Sequence, residues 1–167
     1  SLPRDMPGIV IVQHMPAVFT RMYAERLDAA CSLQVKEALS GDRIYPGRVL
    51  IAPGGFHMRV GSDRHHLVVT CQPGDKVNGH CPSVDVLFTS VAERAGERAI
   101  GVILTGMGND GAGGLLTMKQ RGAYTIGQDA GSCVVYGMPQ AAYNMGALKK
   151  QLPLNAIPQA IYSLSRS

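Results

Sequence analysis

The sequence predicts an α/β fold in three layers: a mainly parallel sheet flanked by helices, with a β-hairpin insertion. Three observations carry that expectation. Continuous Ile/Val/Leu runs at 8–13 and 99–105 suit parallel strands covered on both faces. Such runs alternate with segments whose apolar residues recur at helical spacing, the pattern of a sheet packed between helices. Between the two long runs lies a stretch of short β-like pieces punctuated by turn residues.

The first unit is a strand at 8–13 followed by a helix at 17–30, where Phe19, Met22, Tyr23 and Leu27 follow helical spacing. Short β pieces come next at 33–38, 48–52, 56–60 and 66–71, divided by Ser40-Gly41-Asp42, Pro53-Gly54-Gly55 and Gly61-Ser62-Asp63. This middle stretch reads as hairpins. Helix returns at 83–95, then strand 99–105, helix 112–121, strand 123–127, helix 138–145 and a last helix at 155–164. No internal repeat and no low-complexity segment interrupts the chain, and residues 1–167 read as one domain.

Composition narrows the classes of function. With 46% apolar residues over 167 positions the chain can bury a sizeable core. No apolar run reaches the roughly 18 residues that span a bilayer, and the first residues lack the apolar stretch of a signal peptide. A cytoplasmic protein without direct membrane insertion is expected. Cys31, Cys71, Cys81 and Cys133 form no C-x-x-C pair and lie in or beside apolar runs, so reduced thiols are expected rather than a metal centre. The net charge of +4 is scattered and aromatics make up 5%, which argues against nucleic acid.

Two loops carry the chemistry. His14 follows the first apolar run and Asp110 follows the second, and in open α/β sheets ligands bind beyond the carboxyl ends of such strands. An imidazole and a carboxylate gathered there are two thirds of a hydrolytic triad. Each has a plainer reading: His14 as a loop histidine, Asp110 as the cap of the helix at 112–121. Gly106-x-Gly108-x-x-Gly111, with Asp129 further on, also matches a dinucleotide fingerprint and keeps a nucleotide-binding oxidoreductase in view as the alternative. Against it, Asp110 places a carboxylate where a pyrophosphate would sit on the helix N-terminus.

The third triad member is harder to find. None of the serines stands in a Gly-x-Ser-x-Gly elbow. Ser83 reads as a helix cap, Ser132 as a turn residue, and Cys133, between Ser132 and Val134, as a buried and inert thiol. The nucleophile is therefore expected upstream of Ser1.

Taken together, Gln13-His-Met-Pro16 with Phe19-Thr-Arg21, Val35-Lys-Glu-Ala38, Ile51-Ala-Pro-Gly54 with His57-Met58, Pro82-Ser-Val-Asp-Val-Leu-Phe88, 101–111 and 132–139 closely resemble the catalytic domain of the CheB chemotaxis methylesterases. The resemblance covers essentially the whole chain. It implies a cofactor-free serine hydrolase that demethylates glutamate methyl esters, and deamidates certain glutamines, on the cytoplasmic helices of chemotaxis receptors. His14 matches the family's triad histidine and Asp110 its triad aspartate. The family's serine turn and its phosphorylatable receiver domain have no counterpart here, so the chain reads as an N-terminally incomplete catalytic domain. Met15 and Met107 are named as neighbours of the site whose backbone N–H groups are candidates for an oxyanion hole. Arg21, one turn into the first helix, is a candidate contact for acidic receptor helices. The chain departs from the family at Gly79 and Cys81, where arginines are common.

Overall fold

A computed structural model describes residues 2–167 and divides the chain into two compact units, one reaching to Leu87 and the other spanning Phe88–Ser167. The first holds β1 (Ile9–Ile11), α1 (Ala17–Ala30), β2 (Gln34–Glu37), β3 (Arg48–Ile51), β4 (Phe56–Asp63) and β5 (His66–Pro73). Strands β1, β3 and β2 form a parallel sheet in that order, with Val10 and Lys36 both in register with Leu50. The centre of this sheet is the run Val49-Leu50-Ile51, which is buried throughout. β4 and β5 pair antiparallel from Phe56 opposite Pro73 to Asp63 opposite His66.

The middle of the chain is therefore only partly hairpin. β2 and β3 lie parallel to each other, because the 38–47 connection between them is longer than a hairpin turn and has its own partner. It runs beside β5: the N–H groups of Gly41 and Ile44 donate to Val69 and Leu67, and that of Val69 donates to Asp42. Within it, burial pushes the Asp42 carboxyl up, but the Leu39 N–H and the Lys36 ammonium at 2.9 Å outweigh this and hold it below its ordinary range.

α2 (Val84–Ala95) starts in the first unit and ends in the second. The second continues with β6 (Ile100–Ile103), α3 (Ala112–Gln120), β7 (Tyr124–Gln128), α4 (Met138–Asn144), β8 (Lys150–Leu152) and α5 (Ile157–Ser165). β6, β7 and β8 form a second parallel sheet with β7 in the middle, its residues Thr125 to Gln128 buried. β8 is absent from the sequence expectation because Lys150-Gln151-Leu152 is short and carries no apolar run. α3 packs over β6 at Gly101, where a Cβ would come within 2.5 Å of Leu115 and 3.0 Å of Met118.

Two expectations about burial need correction. The apolar strands β1 and β6 are less covered than expected: Ile9, Val10 and Ile11 are only half-buried, and β6 alternates buried and half-buried residues. α1 turns Thr20 and Ala24 inward, while Phe19 and Met22 stay exposed and Tyr23 and Leu27 are half-buried. Among the described residues no helix is long and apolar enough to cross a membrane.

Candidate functional site

In the first unit, His14 stands just beyond the C-terminal end of β1 and half-buried, in the four-residue approach to the Pro16 cap of α1. The start of α1 is fixed from behind by residues remote in sequence. The Thr20 hydroxyl, fully buried, accepts the Gly54 N–H at 3.0 Å and donates to the Glu37 carboxylate at 2.6 Å. At Gly54 a Cβ would collide with backbone atoms of Pro16 and Ala17, so this loop reaches α1 only because the residue is glycine. Sequence reading used Pro53-Gly54-Gly55 as a turn signal and missed this close approach.

His14 has an aromatic neighbour. The His80 ring stacks on it with centroids 3.6 Å apart and planes 2° from parallel. Met15 is half-buried beside His14, and Arg21 is exposed on α1.

In the second unit, Asp110 lies in the segment between β6 and α3, with 1% of its surface exposed. The N-cap position of α3 belongs to Gly111, in a left-handed conformation (φ 98°), with no side-chain cap hydrogen bond. Asp110 thus stands one residue before the N-cap position of α3. Met107, earlier in the same segment, is 78% exposed.

The glycines of this segment serve packing against 135–138. Gly106 donates its N–H to Val135 and accepts from the N–H groups of Gly137 and Met138. A Cβ on Gly106 would strike the Met138 sulfur, and one on Gly137 would lie 2.6 Å from the Gly106 oxygen. Gln128, buried at the end of β7, accepts the Thr105 N–H at 2.8 Å and donates to the Ser132 carbonyl at 2.8 Å. This amide bridge had no signal in the sequence, since Gln128 sits at the polar end of an ordinary strand.

Asp129, which could have served a dinucleotide, and Ser132, a candidate nucleophile, are otherwise engaged. Asp129 accepts from both the N–H and the hydroxyl of Ser132, closing a turn, and the Ser132 hydroxyl also accepts the Leu154 N–H. Burial, opposed by a Thr105 hydrogen bond and aided by the Asp129 charge, pushes the Cys133 thiol up, away from the thiolate that would attack. Ser83 directly precedes α2, fully buried, and its carbonyl accepts the Leu87 N–H.

Residues 1–161 match the protein-family model described as CheB methylesterase. A Syntrophomonas wolfei protein named protein-glutamate methylesterase/protein-glutamine glutaminase 2 is 63% identical over 161 residues, covering 96% of this chain and 47% of that protein. A similarly named protein of Syntrophotalea carbinolica is 56% identical over 164 residues, 98% of this chain and 46% of its own length. The crystal structure of the Thermotoga maritima CheB methylesterase catalytic domain aligns with a TM-score of 0.94 at 40% identity, covering 98% of this chain and 87% of that one. The chain spans about half the length of the curated relatives it matches.

Proposed function

The chain belongs to the CheB methylesterase family, and from that premise we propose that it is the catalytic part of a protein-glutamate methylesterase and protein-glutamine deamidase acting on chemotaxis receptors in the cytoplasm. His14 is the general base and Asp110 the acid that orients it. None of the chain's serines stands in a nucleophile elbow, so the attacking hydroxyl comes from outside residues 1–167.

In the reaction, His14 takes the serine proton as the oxygen attacks the ester carbonyl carbon. The tetrahedral intermediate collapses, the bond to the methoxy oxygen breaks, and methanol leaves with the proton returned by His14. Water, deprotonated by the same imidazole, then attacks the acyl-enzyme and releases glutamate and the serine. A glutamine follows the same course with ammonia as the leaving group. The Asp110 carboxylate holds the imidazole tautomer and balances the imidazolium formed in each step. Backbone N–H groups near Met15 and Met107 stabilise the oxyanion, and Arg21 meets the acidic surface of the receptor helices. In the full-length protein a phosphorylatable receiver domain accompanies this catalytic part.

The observation that carries this reading is Asp110: a nearly inaccessible carboxylate beyond a parallel strand, in the glycine loop between β6 and α3. The test is methanol release from a methylated receptor cytoplasmic fragment by the full-length protein. His14→Ala is expected to lower turnover by about 10⁴-fold or more. Turnover within a few-fold of the parent would overturn the reading.

A further inference from the structure

We infer that His80 is a positioning residue for His14, and that the Asn78-Gly79 turn exists to hold its ring against the base; this rests on the reading of His14 given above. The two imidazole planes are nearly parallel, 2° apart, with centroids separated by 3.6 Å. That separation is close to the distance between the ring planes, so the overlap is almost face to face. Two neutral aromatic rings gain least from that arrangement, because their quadrupoles repel when stacked without offset. A cationic ring over a neutral π face gains most. The stack therefore favours the state in which His14 carries the proton it has taken from the nucleophile, and does little for the resting neutral base. An interaction that strengthens only when the imidazolium forms raises turnover rather than substrate affinity.

The loop presenting His80 is built for rigidity. Val77 and His80 exchange both backbone hydrogen bonds, at 2.9 and 3.0 Å, around Asn78 and Gly79. Both central residues have positive φ, 53° and 79°, the geometry of a tight mirror-image turn that Asn-Gly adopts most readily. The Asn78 side chain donates to Asp85 in the first turn of α2 at 2.6 Å, and the Gly55 N–H donates to the Cys81 carbonyl. His57, buried in β4, spans the base of the loop: one ring nitrogen lies 2.7 Å from the Asp75 carbonyl and the other accepts the Ser83 N–H at 3.3 Å. A side chain that only filled space beside His14 would need none of these ties. Glycine at position 79 is what permits the turn.

The experiment compares His80→Ala and His80→Phe with the parent in the full-length protein, with methanol release from a methylated receptor fragment as the assay. His80→Ala is expected to lower kcat about tenfold with KM within about twofold, and His80→Phe, which keeps a π face, to recover most of the loss. The Cε1–H resonance of His14 should also move downfield in His80→Ala, as the ring current of its neighbour is removed. An unchanged kcat in His80→Ala, or a His80→Phe enzyme as slow as His80→Ala, would overturn the inference. Should His80→Ala not fold, His80→Phe decides alone: kcat near the parent value supports the stack, and a tenfold loss defeats it. His14→Ala separates the two claims. If it is fully active the hydrolase reading fails, whereas an inactive His14→Ala beside a fully active His80→Ala removes only the role of His80.

Discussion

The segment after β1 is held by one buried hydroxyl and one glycine, Thr20 and Gly54, whereas the segment after β6 is held by one buried amide and two glycines, Gln128, Gly106 and Gly137. The two anchors differ in what they press against. Gly54 meets the backbone of Pro16 and Ala17, which cannot give without moving α1 itself. Gly106 meets the sulfur of Met138, an unbranched side chain that can choose another rotamer. The Thr20 bond reaches a buried N–H, while the Gln128 bond reaches Thr105, which is exposed. The glycine behind the segment after β1 thus has only backbone against it, whereas the segment after β6 has backbone at Gly137 and a yielding side chain at Gly106.

The largest effect expected at either loop is chemical. Asp110→Asn in the full-length protein should fold with a parent-like melting temperature and lose about 10⁴-fold in turnover, measured as methanol release; near-full turnover would leave Asp110 a structural residue. Next come the glycines. Gly54→Ala should destabilise by about 3 kcal/mol and Gly106→Ala by about 1 kcal/mol in denaturant unfolding, because only the second added methyl has a yielding neighbour. Equal losses would erase the distinction between the two glycines.

Smaller differences should follow at the polar anchors. Thr20→Val leaves the Gly54 N–H buried without its acceptor and should cost about 2 kcal/mol, against about 1 kcal/mol for Gln128→Met, whose abandoned Thr105 N–H can turn to water. The smallest effect belongs to Asp42, on the connection behind the first sheet. Its carboxyl titrates lower in the folded state than in the unfolded one. The stability it adds is therefore full above the ordinary carboxylate pKa of about 4 and is lost as pH falls through the folded value. The melting temperature of Asp42→Asn should lie below the parent at pH 6, and the gap should narrow as pH falls below the ordinary carboxylate range; a gap that widens on acidification would reverse the sign.

Much of this was legible in the sequence, and the failures have physical causes. The run 17–30 read as a helix because its periodicity is real, yet the residues that seemed to define its inner face are the exposed ones. Phe19 and Met22 outweigh Thr20 and Ala24 in hydropathy, but the inner face is fixed by the bonds of Thr20 to the Gly54 N–H and the Glu37 carboxylate, partners that no helical periodicity reveals. Apolar runs located β1 and β6 but could not say which strands each would pair with, since strand order depends on partners distant in the chain. β2 and β3 looked like hairpin arms because turn residues were counted without asking what the 38–47 connection would bond to. His14 and Asp110 stood out because each follows a strand. His80 did not, because its importance comes from a ring reached only through the fold, although Asn78-Gly79 was a turn signal in plain view.

The Gly54 contact also sets where this surface is free to vary. Positions 20 and 54 are bound to each other by the Thr20–Gly54 hydrogen bond, and any side chain at 54 would meet the backbone of Pro16 and Ala17. Val18, Phe19, Arg21 and Met22, on the outer side of the same helix, are exposed. A library confined to those four positions could alter what approaches the helix beside His14 while leaving the Thr20–Gly54 contact untouched.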